Sequence, residues 1–587
     1  MPGDPDRDTV DKPIVSVGID SFSYARNLDE SVLNDVEFTV GWGEVVGVLG
    51  PTGAGKTTLI SCLNGLVPDI VSGRIQGEVS IDGEDTVAAS ASELAGTVGT
   101  VMENPDTQIL GLTVLEDIGL GPANLGKDAA AIREQSARLI EAFDLERYEN
   151  QNPNNLSGGE QQSLALASIL SMDPNLLLLD EPVSMLDPKG TERTFEMLSR
   201  TLADNPDRAV VITGSGPDIE ESIPYFDRIV LLNNRGKLVA NGPPREVVGS
   251  DQFERLGIRR PDVAELFVGM DDHITGLDRL PLTVEEAAEQ LDEHLRPGTE
   301  FARPDSGRDE VTDRPASVSV EDITFAYETQ NVLEDVSLDL LEEEVLGLVG
   351  QNGSGKTTLC KLVVGLLDAD EGRIRVNGTD VDDYSPDDLI RTVNYVYQNP
   401  DDQLVRDDVE GEVSMGLAQM GLADDEVDRR VTEVLERFGI ADIRETKTSM
   451  LDMSEKSLVQ IASLVVMDPD VLILDEPTRG LDHTEITTLF ERLEDVRRER
   501  GMSLVVVSHH MRYVADWCNR LVVLFDGRVH MAGGVREVFS QPDRLGETDI
   551  TPPGITRLGQ QLSDHGMPDD VTGIDEMRAL LGREVTP

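Results

Sequence analysis

The chain has 587 residues and a formal net charge of -62, from 112 acidic against 50 basic side chains. That length accommodates several domains, and so acidic a balance excludes a generic nucleic-acid binder, which needs a basic face. The acid is spread along the chain and lysine is scarce beside arginine, which reads as a soluble protein of a salt-rich cytoplasm whose screened carboxylates keep the surface hydrated.

The three cysteines, Cys62, Cys360 and Cys518, are far apart and form no C-x-x-C. No zinc or iron–sulfur framework follows, and a reducing compartment fits. The N-terminal stretch does not read as a signal peptide, and no apolar run reaches the roughly 18 residues of a membrane span. Any membrane role would therefore come through a partner.

In chain order, residues 1–13 are polar and read as disordered. Residues 14–250 form a first unit. Its apolar run Val45 to Leu49 leads into Gly50-Pro51-Thr52-Gly53-Ala54-Gly55-Lys56-Thr57-Thr58, which fits the P-loop pattern between a strand and a helix start. Glycines let backbone N–H groups close around phosphate oxygens, and the helix N-terminus favours negative charge. Lys56 is a point charge for the terminal phosphates, and the Thr57 hydroxyl is a ligand for Mg²⁺. Leu156-Ser157-Gly158-Gly159-Glu160 predicts a capped helix start whose N–H groups could face a phosphate. Asn175 to Leu179, ending in Asp180-Glu181-Pro182, is apolar without alternation and predicts a parallel strand buried on both faces.

A tail over 251–296 and a polar, Pro-rich linker over 297–316 follow. The pattern then repeats in a second unit, 317–545, with a tail at 546–587. Val345 to Val349 precedes Gly350-Gln351-Asn352-Gly353-Ser354-Gly355-Lys356-Thr357-Thr358, and Val471 to Leu474 precedes Asp475-Glu476-Pro477. Apolar strands alternating with helical stretches predict an α/β fold with a mainly parallel sheet in each unit.

P-loop, L-S-G-G-E and L-L-L-L-D-E-P, in that order and spacing, resemble an ATP-binding cassette (ABC) ATPase with two fused cassettes. Tyr395-Val396-Tyr397-Gln398-Asn399-Pro400-Asp401-Asp402-Gln403 and its counterpart Met102 to Gln108 further resemble the energy-coupling-factor transporters, including the cobalt and nickel type. The resemblance implies two P-loop ATPase domains, each with an antiparallel β part and a helical signature region. It implies ATP and Mg²⁺ as cofactors, and two cassettes paired head to tail with each ATP between one P-loop and the opposite signature. It implies a peripheral position on the cytoplasmic face of the membrane, with an energy-coupling transmembrane protein and a substrate-binding membrane protein as partners.

Carried over residue by residue, Lys356, Thr357 and Thr358 would bind nucleotide. Asp475 would hold Mg²⁺ with Thr357, Glu476 would polarise water, and Gln398 would contact both metal and water. His509 would be the switch histidine, and Tyr327 would stack on adenine. In the first half Tyr24, Lys56, Thr57, Thr58, Asp180 and Glu181 keep these places. Its Q-loop position holds Glu103, and counting offers Gly214 or Pro217, neither a histidine, at the switch. In the second half Asp452-Met453-Ser454 replaces the Ser-Gly-Gly of the signature. In a head-to-tail pair these departures all fall on one site, leaving one consensus and one degenerate site. Asp106, Asp401 and Asp402 are candidates to meet arginines of a membrane partner.

The expected function is ATP hydrolysis coupled to import of a vitamin or a transition-metal ion. Two alternatives stand beside it: a fused ATPase of a sugar-type importer, disfavoured by the N-P-D-x-Q segments, and a soluble non-transport ABC ATPase, for which no basic patch, iron–sulfur cysteines or long coiled coil speaks.

Overall fold

In the computed structural model the described residues are 12–183, 188–215, 219–268, 270, 279–295, 301, 314–327 and 330–584. The expected disordered start and the linker at 297–316 lie almost wholly outside them, as do Pro217 and, for its side chain, Asp106. The chain divides into two compact units, Met1–Ala264 and Glu265–Pro587.

In the first unit a six-stranded sheet has the order Leu238–Gly242, Arg228–Leu232, Val45–Leu49, Ala209–Gly214, Leu176–Leu179, Val98–Val101. All neighbours are parallel except the edge hairpin. The second unit repeats this order with Arg528–Gly534, Arg520–Phe525, Val345–Gly350, Ser503–Val507, Val471–Asp475 and Val393–Val396. Each unit adds a four-stranded antiparallel sheet. The α/β class with a mainly parallel core is as the unalternating apolar runs predict.

The central strands are apolar on both sides because both faces are covered. In the second unit Leu346, Leu348, Val471 and Ile473 pack with Val318 and Phe325 of the antiparallel sheet and Leu359 of the P-loop helix. Alternate residues Leu472, Leu474, Leu504 and Val506 pack with Val459 and Val465 of the helix Met453–Val465 and Leu489 of the helix His483–Arg500. Hydrophobic burial on two faces thus fixes the sheet and leaves its carboxyl ends, where the polar residues gather, at one edge.

Helix Val284–Asp292, in the tail after the first unit's core, packs within the second unit on helix Gly554–Gln561. Arg557 pairs with Glu285 at 3.1 Å, and His565 Nε2 lies 2.7 Å from Asp292 Oδ1.

The turn into each P-loop strand is tied to the sheet by a Glu–Arg pair. Glu44 takes a bidentate contact from Arg228 at 2.6 and 2.9 Å, in a partly exposed position. Its counterpart Glu344 is 0% exposed and faces Arg520 Nε at 2.9 Å, while its other oxygen accepts from Leu341 N at 2.8 Å. Burial raises the Glu344 pKa against those stabilising contacts. Removing one partner of a buried pair strands the other charge, at a cost of about 3–5 kcal/mol. Arg520→Met is therefore expected to lower the denaturation midpoint clearly more than Arg228→Met. Glu344 binds protons more readily folded than unfolded, so stability is lost as pH rises above about 4.3 through that window. Denaturant melts should accordingly show the Arg520→Met deficit shrinking as pH falls.

Candidate functional site

Each P-loop leaves its strand at the carboxyl edge of the sheet and turns into a helix, Lys56–Leu63 or Lys356–Val363. Gly55 and Gly355 sit at the helix starts with φ of 85° and 101°, the left-handed region open to glycine. A Cβ on Gly355 would also stand 2.5 Å from Leu333 Cδ2. Gly53 and Gly353 share positive φ, Gly350 ends its strand, and Gly50 follows the last residue of its own. Lys356 Nζ donates to the carbonyls of Gly350 and Gln351 at 2.7 and 2.8 Å, and Lys56 does the same to Gly50 and Pro51 at 3.0 Å each. Both ammonium groups are thus folded over their own loops.

The carboxylates stand beside these lysines. Asp475 ends the central strand at 2% exposure, and Thr357 Oγ1 donates to its Oδ2 at 2.8 Å. In the first half Asp180 is equally buried, with Thr57 hydrogen-bonded to it. Desolvation pushes both aspartates above the usual carboxylate range, while hydroxyl donors pull them back. Glu181 and Glu476 follow with φ of 47° and 50°, a strained conformation for a non-glycine residue and one that clusters at functional sites. Lys56 Nζ lies 3.4 Å from Glu181 Oε1.

The switch positions differ. His509 Nδ1 is 2.8 Å from Glu476 Oε1, while Glu476 Oε2 is buried without a hydrogen-bond partner. In the first half the strand register corrects the counting. Val45 pairs with Val210 as Val345 pairs with Leu504, so the residue equivalent to His509 is Ser215, not Gly214, which is the last residue of its strand. Ser215 Oγ donates to Glu181 Oε1 at 2.7 Å. A serine therefore occupies the histidine's geometric place with a shorter reach. The connection between the aspartate and the switch is one residue longer in the first half, which is why counting missed it.

At the other edge, Ser157 caps the helix Gly158–Leu170, and Glu160 closes the capping box by accepting from Ser157 N at 2.8 Å. Open space surrounds the Gly158 Cβ position, and Gly159 follows on the same first turn. In the second half Asp452 caps the helix Met453–Val465, accepting from Glu455 N at 2.8 Å. Aspartate preserves the helix start as serine does. Ser454, where the signature has glycine, donates to Glu485 at 2.6 Å. Gln398 and Glu103 lie exposed on the loops after their edge strands. Tyr327 ends its strand 46% exposed, and Tyr24 ends its own with its hydroxyl 2.8 Å from Thr58 Oγ1. Thr358 is buried behind the second P-loop.

The family model described as ABC transporter matches residues 33–184 and 333–479. The chain belongs to the ABC transporter family. It is an ATPase with two tandem cassettes. A Methanosarcina mazei protein named for ABC transporter ATP binding is 32% identical over 96% of each chain. One from Vibrio vulnificus with the same kind of name is 31% identical over 92% of this chain and 94% of its own. Among solved structures, CbiO1 of Clostridium perfringens, part of the cbiONQ ABC transporter complex, is 32% identical over 42% of this chain and 99% of its own, with a TM-score of 0.37.

Among the described residues no group of three or more His, Cys, Asp or Glu could hold a metal by itself. A cation at either cassette would depend on one carboxylate, one threonine hydroxyl and the substrate's phosphates. That small set of hard oxygen ligands fits Mg²⁺. Asp475 with Thr357, and Asp180 with Thr57, are the residues that would hold it.

Several contacts escape motif reading. Asp401 pairs with Lys456 of its own cassette at 2.6 Å, so that acidic loop is engaged internally, while Asp402 stays exposed. Gln403 Oε1 accepts from Tyr397 N at 3.1 Å and from Gln460 Nε2 at 2.7 Å, fastening the Q-loop to the signature helix. Gln351, inside the second P-loop, donates its side-chain amide to Asp549 of the C-terminal tail. Asp549 holds a positive φ of 55° in doing so.

The tail thus touches the P-loop directly. One hydrogen bond contributes about 0.5–1.5 kcal/mol, or roughly two- to tenfold in affinity. Asp549→Ala is expected to weaken binding of a fluorescent ATP analogue to the second cassette within that range, with a small fall in melting temperature because alanine is strained at a positive φ. No change in affinity would mean the contact is incidental.

Proposed function

We propose that this chain is the ATP-binding and hydrolysing subunit of an energy-coupling-factor type importer for a vitamin or a transition-metal ion. It works on the cytoplasmic face of the membrane of a salt-adapted cell, with one consensus and one degenerate ATP site. In the head-to-tail pairing that the family resemblance implies, the Lys356 site would borrow Ser157, Gly158, Gly159 and Glu160, and the Lys56 site would receive Asp452, Met453 and Ser454.

The observation that carries the inequality is the His509–Glu476 pair set against Ser215–Glu181. At the second P-loop His509 orients Glu476 through Oε1 and leaves Oε2 to polarise a water. Lys356 and the backbone of the P-loop hold the terminal phosphates. Bound Mg²⁺ would neutralise charge on those phosphates. At the first, Glu181 is drawn to Ser215 and Lys56. Its opposing signature would bring a carboxylate, and like charges about 4 Å apart repel on the order of 4 kcal/mol at an effective dielectric near 20. Glu103 and Ser215 complete a set suited to binding ATP more than to turning it over.

The importer reading is supported by the two N-P-D-x-Q turns. Each is clasped by its glutamine: Gln108 accepts from Met102 N and Gln403 from Tyr397 N, both at 3.1 Å. Leu110, Leu112 and Val405 beside these turns are 73%, 75% and 68% exposed. Apolar side chains so displayed on a highly acidic protein suit a partner surface. No helix of the described residues is long and apolar enough to cross a membrane, so the partners would supply the spans.

Two measurements test this. Loss of a general base costs about 10²–10⁴ in rate. Glu476→Gln is therefore expected to remove nearly all steady-state ATPase, Ser157→Arg likewise, and Glu181→Gln only a small part. Equal losses from the two Glu→Gln variants would overturn the inequality, and a larger one from Glu181→Gln would reverse it. Expressed alone in high salt the chain should stay in the supernatant, and with its membrane subunits it should pellet. Stable membrane integration when expressed alone would refute the peripheral reading.

A further inference from the structure

The carboxylate of Asp475 accepts two hydroxyls on one oxygen. Thr357 Oγ1 is 2.8 Å from Oδ2, and Tyr395 Oη is 2.5 Å from the same atom. Tyr395 belongs to the edge strand Val393–Val396, parallel to Val471–Asp475 and in register with Ile473. Its ring is 7% exposed and packs edge-on against Tyr397 at 4.9 Å. The phenol therefore has little freedom to leave.

The first cassette meets the same demand from the other side. Its residue in register is Thr100, which pairs with Leu178 as Tyr395 pairs with Ile473. Thr100 Oγ1 accepts from Asn64 at 3.4 Å. Asp180 instead takes a hydroxyl from Thr213 on the opposite neighbouring strand, at 2.6 Å. The position equivalent to Thr213 in the second cassette is Val507, which has no hydroxyl. Each cassette thus places one flanking-strand hydroxyl on its buried aspartate, from opposite flanks. A buried charge needs such donors, and a donor that changes strand while the bond persists marks the bond as the required feature.

We propose that Tyr395 is a positioning residue: its phenol fixes the orientation of Asp475 and thereby sets how tightly the second cassette holds Mg²⁺ with its nucleotide. Thr357 is the other donor to Asp475 Oδ2, and it is also the residue read as a metal ligand. When that hydroxyl turns to the cation, Tyr395 remains to hold the carboxylate. Tyr395 itself touches neither metal nor substrate.

This rests on Asp475 being a metal ligand, and the test separates the two readings. The full-length chain is titrated with Mn²⁺ in the presence of a non-hydrolysable ATP analogue, with bound metal read by electron paramagnetic resonance. Tyr395→Phe is expected to weaken the Mn²⁺ bound at the second cassette by about tenfold or more, the scale of one hydrogen bond to a charged group. The Mg²⁺ concentration for half-maximal ATPase should rise in parallel, while analogue binding in EDTA stays unchanged. Adding Val507→Thr to Tyr395→Phe supplies a hydroxyl from the flank the first cassette uses and should recover metal affinity. Unchanged Mn²⁺ binding in Tyr395→Phe would overturn the proposal. So would an equal loss of analogue binding in EDTA, or a loss that Val507→Thr leaves uncorrected. Asp475→Asn is the control: retention of the second cassette's Mn²⁺ there would remove the metal-ligand reading, and this proposal with it.

Discussion

A carboxylate buried at the end of an apolar strand is the constraint on which this structure depends. Asp180 and Asp475 are each almost fully enclosed, and burial alone pushes them toward neutrality. They are kept usable by hydroxyl donors and by a lysine on the neighbouring loop. The strand must be apolar on both faces to be buried, and the loop must be rich in glycine to pass so close. The polar groups can then collect only where the strands end. Sheet, P-loop and site are consequences of one arrangement.

The two cassettes solve this problem with the same topology and different atoms. Thr213 serves Asp180 and also accepts from Glu181 N at 3.0 Å, so one hydroxyl links both acidic residues. In the second cassette Glu476 N donates to the Val507 carbonyl at 2.9 Å, and the aspartate is served separately by Tyr395. The glutamate and the aspartate that precedes it are thus coupled through a side chain in one half and decoupled in the other. The unequal switch residues, Ser215 and His509, follow the strands that carry Thr213 and Val507, so this part of the divergence gathers at the carboxyl end of the sheet.

The acidity of the surface is handled by arginine. Arg429 lies 2.7 Å from Glu426 and 2.6 Å from Glu433, and Arg444 reaches Glu410 and Asp428 at 2.6 Å each. Planar guanidinium groups can serve two carboxylates at once where an ammonium serves fewer in fixed geometry. Such exposed pairs add little individually, but they offset self-repulsion in a chain of net charge -62.

Much was legible in the sequence because it is local. The P-loops, the apolar strands ending in Asp-Glu and the capped signature helix are each carried by fewer than about ten consecutive residues, whose spacing reports directly on backbone conformation. Asp452 was readable as a departure, though not as a working helix cap. Ser215 was missed by one position, since a single extra residue in an intervening segment shifts any count, whereas sheet hydrogen bonding restores the register. Gln460 and Asp549 carry no motif, and Tyr395 and Thr213 lie inside the Q-loop and switch segments without a role that the motifs assign them. Tyr395 and Asp475 meet because strands 80 residues apart lie side by side, and Gln351 meets Asp549 across 198 residues. Which hydroxyl reaches which carboxylate depends on strand order and register, and those are set by packing among distant segments that no short stretch of sequence encodes.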